Sequence, residues 1–268
     1  MHVPSAAFVL VLGCALPCAA ADGGVEELRN ARPGWDSMGE TGLHRRLETP
    51  NGAVHLFLPR DYEARTAGTV FYVHGYFSDV DQAWQQHELA AQFAASGRNA
   101  LFVVIEAPTG DTEAVRWRDL KALTQAVTTL GGIDLPLGPA VAMVHSGGFR
   151  TLQGWLSSGG VQTVLMLDGL YGAEAELTQW LGLGGNHLGS LVLVGFDTSP
   201  QIERFIGAYP DTQVLDEVPS PARARKVGKK SRVLYLRSQF GHMEIVTQQA
   251  VIPSVLQLTE LVDLKTSG

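Results

Sequence analysis

From residue 69 to residue 238, the chain alternates between short, continuously apolar runs and stretches in which apolar residues recur at helical spacing. Continuous apolar runs are typical of strands that are buried on both faces of a parallel sheet. Six such runs predict six strands: "TVFYVHG" (69–75), "ALFVVIEAP" (100–108), "PAVAMVHS" (139–146), "QTVLMLDG" (162–169), "SLVLVGFD" (190–197) and "RVLYLRS" (232–238).

The stretches between these runs predict helices. They lie at 78–96, 113–130, 148–158, 173–183 and 200–207, and a last helical segment at 245–263 is kinked or restarted at Pro253. In the first helix, Ser78 is the expected N-cap, with Asp81 three residues later. Strands that alternate with helices indicate an α/β fold, with a mostly parallel sheet and helices on both faces.

Two further strand-like runs precede this pattern, at 43–50 and 53–60, and Asn51-Gly52 separates them. Asn-Gly between two such runs is a strong signal for a tight hairpin turn. We therefore expect an antiparallel hairpin that extends the sheet at one edge. The polar residues 22–42 are expected to form a loose lead-in to a domain at 43–268.

The amino terminus has the pattern of a secretory signal peptide. Residues 6–16 are an apolar run too short to span a bilayer, and "AAA" at 19–21 suits a signal peptidase. The segment 1–21 is thus expected to be removed, which predicts a secreted or periplasmic protein with no stable membrane insertion after cleavage. A buried N-terminal helix is one alternative, and a lipoprotein attached through Cys14 is another.

The composition narrows the function class. The only cysteines, Cys14 and Cys18, lie in the signal segment, so a mature chain would have neither a cysteine nucleophile nor cysteine metal ligands. The formal net charge of −7 argues against nucleic acid as a partner, because phosphate binding needs a surplus of Lys and Arg. We expect a small-molecule or envelope-derived substrate and no cofactor.

Chemically reactive side chains follow the predicted strands. Active sites of such sheets lie at the carboxyl ends of the strands. The residues there are His74, Glu106, Ser146, Asp168, Asp197 and, in the loop after the sixth strand, His242. A serine, an aspartate and a histidine in this chain order match one version of the nucleophile–base–orienter system. Ser146 is therefore the candidate nucleophile and His242 the candidate base, with Asp168 as the preferred acid and Asp197 as the alternative.

These features resemble the α/β-hydrolase superfamily over about residues 43–268. The resemblance rests on the strand order, the "HG" turn at 74–75, the serine before a glycine-rich helix start, and the late histidine. The "HSG" and "LDGLYG" segments further resemble small secreted bacterial hydrolases.

The resemblance implies an α/β-hydrolase fold and a Ser-His-Asp triad acting on an ester, thioester or amide, with esterase- or lipase-like activity favoured. It also implies an oxyanion hole from the Tyr76 and Gly147 amides. Because only 22 positions separate Asp168 from Ser190, no large cap is expected. Val144 departs from the superfamily's G-x-S-x-G pattern, in which that position is small.

Two other function classes stay open at this point. One is a catalytically inactive binding protein of the cell envelope with the same fold. The other is a metallohydrolase with His74, His145, His242 and Asp168 as ligands, although His145 is expected to point into the packing behind Ser146.

Two segments outside the strand ends can be interpreted either as functional surfaces or as ordinary loops. The basic segment 221–232 is either a patch for an anionic polymer or lipid surface, or a solvated loop. The segment 182–189, with Asn186 and His187, is either a substrate-contacting rim or a connection.

Overall fold

The computed structural model describes residues 34–183, 189–227 and 231–265. Within them, ten strands form one sheet in the order β1-β2-β3-β5-β4-β6-β7-β8-β10-β9. The strands are β1 (Asp36–Ser37), β2 (Gly42–Leu47), β3 (Val54–Pro59), β4 (Gly68–Val73), β5 (Ala100–Ile105), β6 (Ala140–His145), β7 (Thr163–Leu167), β8 (Ser190–Gly195), β9 (Gln213–Leu215) and β10 (Val233–Arg237). The pairs β1–β2, β2–β3 and β3–β5 are antiparallel, and the other pairs are parallel.

The α-helices of the described residues are α1 (Val80–Gln86), α2 (Leu89–Ala95), α3 (Leu120–Gly131), α4 (Phe149–Ser158), α5 (Glu174–Gly182), α6 (Ser199–Ile206), α7 (Pro221–Ala224), α8 (Glu244–Thr247) and α9 (Val251–Leu256). Short 3-10 turns cover Gly39–Thr41 and Ser146–Gly148. None of the described helices has the length and apolar character that crossing a bilayer requires.

The predicted sheet with helices on both faces is confirmed. Every residue of β3, β4, β5 and β7 is buried, which explains why these strands are continuously apolar. Successive residues of β4 enter separate cores: Phe71 packs in a core with Trp155 of α4, and Val70 packs in a core with Trp84 of α1. The predicted hairpin forms β2 and β3, with Leu47 opposite Val54.

The predicted helix at 78–96 is two helices. Glu88 is in the left-handed region, with φ +48°, and this separates α1 from α2. The N-cap is Asp79 and not Ser78, because the Asp79 carboxylate accepts from the Gln82 amide while the Gln82 side chain accepts from the Asp79 amide. This reciprocal pair satisfies two amides that a serine at 78 could not reach.

Other predicted bounds are also wrong. The helix expected at 113–130 starts only at Leu120, after the cap Asp119. The segment 245–263 holds two short helices, separated near Gln249, whose φ is +52°. The interruption lies before Pro253, which occupies the first turn of α9, where a missing amide hydrogen costs nothing.

The described part of the lead-in, from residue 34, is ordered and not loose: it contains β1, the 3-10 turn and the first residue of β2. The sequence pattern also missed β9. The proposed signal segment 1–21, with Cys14 and Cys18, lies outside the described residues and stays a prediction.

The basic segment 221–232 is partly structured. It contains α7, and Lys229 and Lys230 lie outside the described residues. Arg223 pairs with Glu217, and Arg225 Nε donates to Gln257 at 2.9 Å. Whether this segment binds an anionic polymer or lipid surface stays a prediction. Asn186 and His187 also lie outside the described residues.

Candidate active site

Ser146 lies on a sharp turn between β6 and α4. Its φ is +49°, in the left-handed region that non-glycine residues rarely adopt. The turn is tight because the following backbone approaches the end of β4: a Cβ on Gly148 would lie 2.9 Å from both the Val73 and the His74 carbonyl oxygen. This strand–turn–helix geometry is that of a nucleophile elbow, in which the serine hydroxyl is presented above the sheet.

Val144 does not prevent this turn, although its position was expected to need a small residue. Its side chain is fully buried, and it pairs with Val73 of β4 and Met166 of β7. Besides Gly147 and Gly148, glycines that follow the neighbouring strands make space at the elbow. A Cβ on Gly75 would lie 2.8 Å from Ser146 Cβ, and one on Gly169 would lie 3.2 Å from the Ser146 backbone nitrogen and oxygen.

His242 connects Ser146 to Asp168. The Ser146 hydroxyl donates to Nε2 of His242 at 3.0 Å, and Nδ1 of His242 donates to Oδ2 of Asp168 at 2.6 Å. The hydrogen bond to Asp168 raises the pKa of His242 above its ordinary value of 6.5, against the opposing effect of burial. The imidazole is therefore oriented with its unprotonated nitrogen toward the serine hydroxyl.

Asp168 is fully buried at the end of β7, with φ +46°. Burial alone would raise the pKa of this carboxyl. Hydrogen bonds from His242, from the Phe196 and Thr198 amides at 2.9 Å and from the Thr198 hydroxyl at 2.7 Å outweigh it, and the pKa lies well below its usual range. Asp168 is consequently a carboxylate at neutral pH.

Asp197, the alternative acid, occupies a different position. Its carboxylate lies 3.8 Å from Nδ1 of His242 and its side chain is 56% exposed. Its backbone amide donates to Asp168 at 3.2 Å. Asp197 therefore helps to hold the buried carboxylate, and Asp168 makes the close contact with His242.

The turn after β4 brings Tyr76 beside Gly147. A Cβ on Gly147 would lie 2.3 Å from the Tyr76 ring, so only glycine fits there. Among the turn and loop hydrogen bonds of the described residues, no backbone carbonyl accepts from the Tyr76 or the Gly147 amide. The two amides that the resemblance implied for an oxyanion hole thus belong to adjoining backbone segments at the elbow.

His74 fixes the direction of the Tyr76 amide. Nδ1 of the buried His74 donates to the Gly75 carbonyl at 2.7 Å, while Nε2 accepts from the Ala107 amide at 3.0 Å and lies 3.1 Å from the Glu106 carboxylate. Because a trans peptide is planar, its N–H points away from its carbonyl oxygen. Holding the Gly75 oxygen therefore turns the Tyr76 N–H to the opposite side.

His145 is buried behind the elbow, as expected. Its Nε2 donates to the backbone carbonyl of His242 at 3.2 Å, and burial lowers its pKa to about 3. Since His74 and His145 each bind a different carbonyl, the four proposed metal ligands do not converge on one point. The described groups whose ligand atoms lie within 4.8 Å of one another are Asp168, Asp197 and His242.

The sequence pattern did not identify every residue that holds the site. Thr198 donates two hydrogen bonds to Asp168, and Arg150 donates to the Gly110 and Glu113 carbonyls beside the Tyr76 turn. The only available signal for Thr198 was its position directly after a strand end, in "GFDTSP". No sequence pattern marked Arg150, because a charged residue early in a helix is usually solvated.

The sequence matches no protein-family model and no curated protein. Among solved structures, the chain is similar to the feruloyl esterase module from Clostridium thermocellum, with 12% identity and a TM-score of 0.52 over 79% of this chain and 86% of that chain. It is also similar to the fluorophosphonate-binding serine hydrolase F of Staphylococcus aureus, with 9% identity and a TM-score of 0.52 over 81% of this chain and 98% of that chain. At these identities the similarity is one of fold, and the predicted α/β-hydrolase fold is confirmed.

Proposed function

We propose that this α/β-hydrolase-fold protein is a serine hydrolase that cleaves carboxylic esters. The observation that carries the proposal is the unbroken hydrogen-bonded series from Asp168 through His242 to Ser146, with the serine on an elbow. In this proposal Ser146 is the nucleophile, His242 the general base and Asp168 the residue that orients it.

Each group has one task in the proposed reaction. The Ser146 oxygen attacks the ester carbonyl carbon while its proton passes to Nε2 of His242, and the carbonyl oxygen becomes an oxyanion at the Tyr76 and Gly147 amides. His242 gives that proton to the leaving alcohol as the C–O bond breaks, which leaves an acyl-serine. A water then attacks the acyl carbon, His242 takes its proton, and the proton returns to Ser146 as the acid leaves.

Backbone strain favours this proposal over an inactive binding protein. Ser146 and Asp168 are both held at positive φ, which costs about 1–3 kcal/mol for each residue unless the surrounding structure compensates. A binding protein has no need to keep a serine and a buried carboxylate that share one histidine in such conformations. Strained backbone at two residues that are joined through one histidine is typical of active sites.

A fluorophosphonate probe tests the nucleophile directly. We expect the wild-type protein to be labelled at Ser146 and Ser146→Ala to be unlabelled. Ser157→Ala is the matched control, because Ser157 is an exposed serine of neighbouring α4, and it should label as wild type does. An unlabelled wild-type protein, or labelling that persists in Ser146→Ala, contradicts the proposal.

Ester hydrolysis by the variants tests whether Ser146 and His242 act as one unit. Ser146→Ala and His242→Ala should each lower kcat by roughly 10³-fold or more, and the double variant should be little worse than either. Circular dichroism of each variant establishes that it is folded. Losses that multiply in the double variant would mean that the two side chains act independently.

A further inference from the structure

Exposed aromatic side chains are concentrated around the candidate active site. In the part of the chain that the structure describes, the exposed aromatics are Phe77, Tyr171 and Phe196, and each follows a strand whose end carries the site. Met243, next to His242, is also exposed. These four side chains, here called the apolar rim, are between 44 and 93% exposed. Apolar groups collected at one place on a surface mark an interaction site.

The apolar rim surrounds the reacting groups. The Tyr171 ring lies 6.4 Å from the His242 ring. The Phe77 ring lies 6.4 Å from the ring of Tyr76, whose amide is proposed for the oxyanion hole. On the far side, the Phe196 amide donates to Asp168. A substrate at Ser146 therefore lies between these side chains.

The backbone of Phe77 is held in place although the residue is 93% exposed. Its φ is +64°, and its amide donates to the Thr109 carbonyl at 2.9 Å. The Thr109 amide and hydroxyl both donate to the Glu113 carboxylate, and Arg150 donates to the Glu113 carbonyl. A phenyl ring presented to water on a strained and firmly bonded backbone is pre-organised for contact with a partner.

The strand order sets the length of that partner. Phe77 follows β4 and Phe196 follows β8, and β6 and β7, which carry Ser146 and Asp168, lie between them. Adjacent strands are about 4.8 Å apart, so three steps separate the two ends by roughly 14 Å. An acetyl ester bound at Ser146 is too short to reach both rings, whereas an extended acyl or alkyl chain is long enough.

The charges beside the apolar rim favour a neutral substrate. Asp197 and Glu244 are exposed on this side, next to Phe196 and Met243 in the sequence. Arg150, a cation beside the Tyr76 turn, is engaged with the Gly110 and Glu113 carbonyls. An anionic headgroup beside Phe196 and Met243 would therefore be repelled by these two carboxylates.

We propose that the apolar rim binds the extended apolar chain of a neutral ester, across the sheet from Phe77 to Phe196. This proposal rests on the proposed ester hydrolysis and names its substrate class. Each ring that the chain covers removes apolar surface from water, so the rim favours long esters over short ones.

The test compares kcat/KM for para-nitrophenyl decanoate and para-nitrophenyl acetate, with the decanoate below its aggregation concentration. The wild-type protein should prefer the decanoate. Phe77→Ser and Phe196→Ser should each lower the ratio of decanoate to acetate roughly tenfold, which is the loss expected from one ring that is only partly covered. Leu137→Ser is the matched control, because Leu137 is a fully exposed apolar residue just before the opposite end of β6, and its ratio should equal that of wild type. Equal ratios in all four proteins would overturn the proposal.

A binding measurement separates failure of the rim from failure of the catalytic proposal. Calorimetry of para-nitrophenyl decanoate with Ser146→Ala, alone and combined with Phe77→Ser or Leu137→Ser, needs no turnover. If wild type neither hydrolyses esters nor reacts with the fluorophosphonate, the proposed hydrolase function is wrong. Binding that Phe77→Ser weakens and Leu137→Ser retains still supports the rim, and binding that is insensitive to Phe77→Ser overturns it.

Discussion

The carboxylate that orients His242 is selected by burial. Asp168 and Asp197 both follow strand ends, so the sequence pattern favours neither by position. In the structure, Asp168 is enclosed by the amides of residues 196–198 and lies 2.6 Å from His242, whereas Asp197 is exposed and lies 3.8 Å away. A shielded carboxylate interacts with an imidazole much more strongly than one in contact with water.

Substitution of the two aspartates tests this difference. Asp168→Asn should lower kcat roughly 10³–10⁴-fold, because an amide in that place favours the wrong imidazole tautomer. Asp197→Asn is the matched control. It should lower kcat less than about tenfold, since exposed ion pairs contribute little interaction energy. The reverse ranking of the two variants would assign the orienting role to Asp197.

The pH profile should reflect the raised pKa of His242. The base must be neutral to accept the serine proton, so the rising limb of kcat/KM should have its midpoint above pH 6.5 in the wild-type protein. Asp168→Asn removes the carboxylate that raises this pKa. The rising part of the pH profile of its residual kcat/KM should therefore move to lower pH. A limb that stays in place would show that another group controls the profile.

At the scale of elements, the sequence predicted strands more accurately than helices. All six buried strands of the apolar pattern are present, because each packs against a core on both faces and is therefore mostly apolar. The helix bounds depended on local features that periodicity does not reveal. Glu88 and Gln249 adopt left-handed conformations, and neither is the glycine or asparagine that usually signals such a break.

The sequence predicted those residues of the candidate site whose position at one strand end is visible in the chain itself. It predicted less well the contacts that form between different elements. Ser146, His242 and Asp168 were proposed from the sequence because each follows a strand end, and hydrogen bonds join the three side chains. Gly147 and Gly148 were predicted from their places beside Ser146, but Gly75 and Gly169 make room from the ends of neighbouring strands. Which strands adjoin depends on the sheet order, which a linear pattern does not contain.

Gly148 tests the packing of the elbow. In Gly148→Ala, the new methyl group would lie 2.9 Å from two backbone oxygens, those of Val73 and His74, so α4 must shift away from β4. We expect a loss of about 1–3 kcal/mol in the free energy of unfolding, with reduced activity. Gly182→Ala is the matched control in α5, where nothing lies within 4 Å of the new methyl, and it should be neutral or slightly stabilising. If Gly148→Ala and Gly182→Ala change the free energy of unfolding in urea equally, the close contact at Gly148 is contradicted.

At the scale of the whole molecule, three buried histidines link stability to pH. The pKa of His55 and of His87 is lowered to about 4, and that of His145 to about 3, in each case chiefly by burial. Between pH 6.5 and these values the unfolded chain binds protons that the folded protein excludes. The free energy of unfolding therefore falls as the pH falls through this window.

The other groups of the site titrate outside this window or with the opposite sign. The raised pKa of His242 contributes stability below pH 6.5 that is lost as the pH rises through its folded value. Asp168, with its lowered pKa, contributes stability that is lost only below its ordinary value of 3.8. Between pH 6.5 and 4, the fall in stability from His55, His87 and His145 is thus offset by neither His242 nor Asp168.

His55→Gln tests this linkage away from the active site. His55 contacts His44 and Asp81 and stacks on Trp84, and glutamine keeps a polar group there without a titrating ring. Urea denaturation of the wild-type protein from pH 6 to pH 4.5 should show a fall in the free energy of unfolding that approaches about 1.4 kcal/mol per pH unit for each of these three histidines. In His55→Gln, the part of this pH dependence that comes from His55 should be absent. The pH profile of its activity should equal that of the wild-type protein. If wild type and variant fall with the same slope, His55 titrates equally in the folded and unfolded states, and its burial does not control stability in acid.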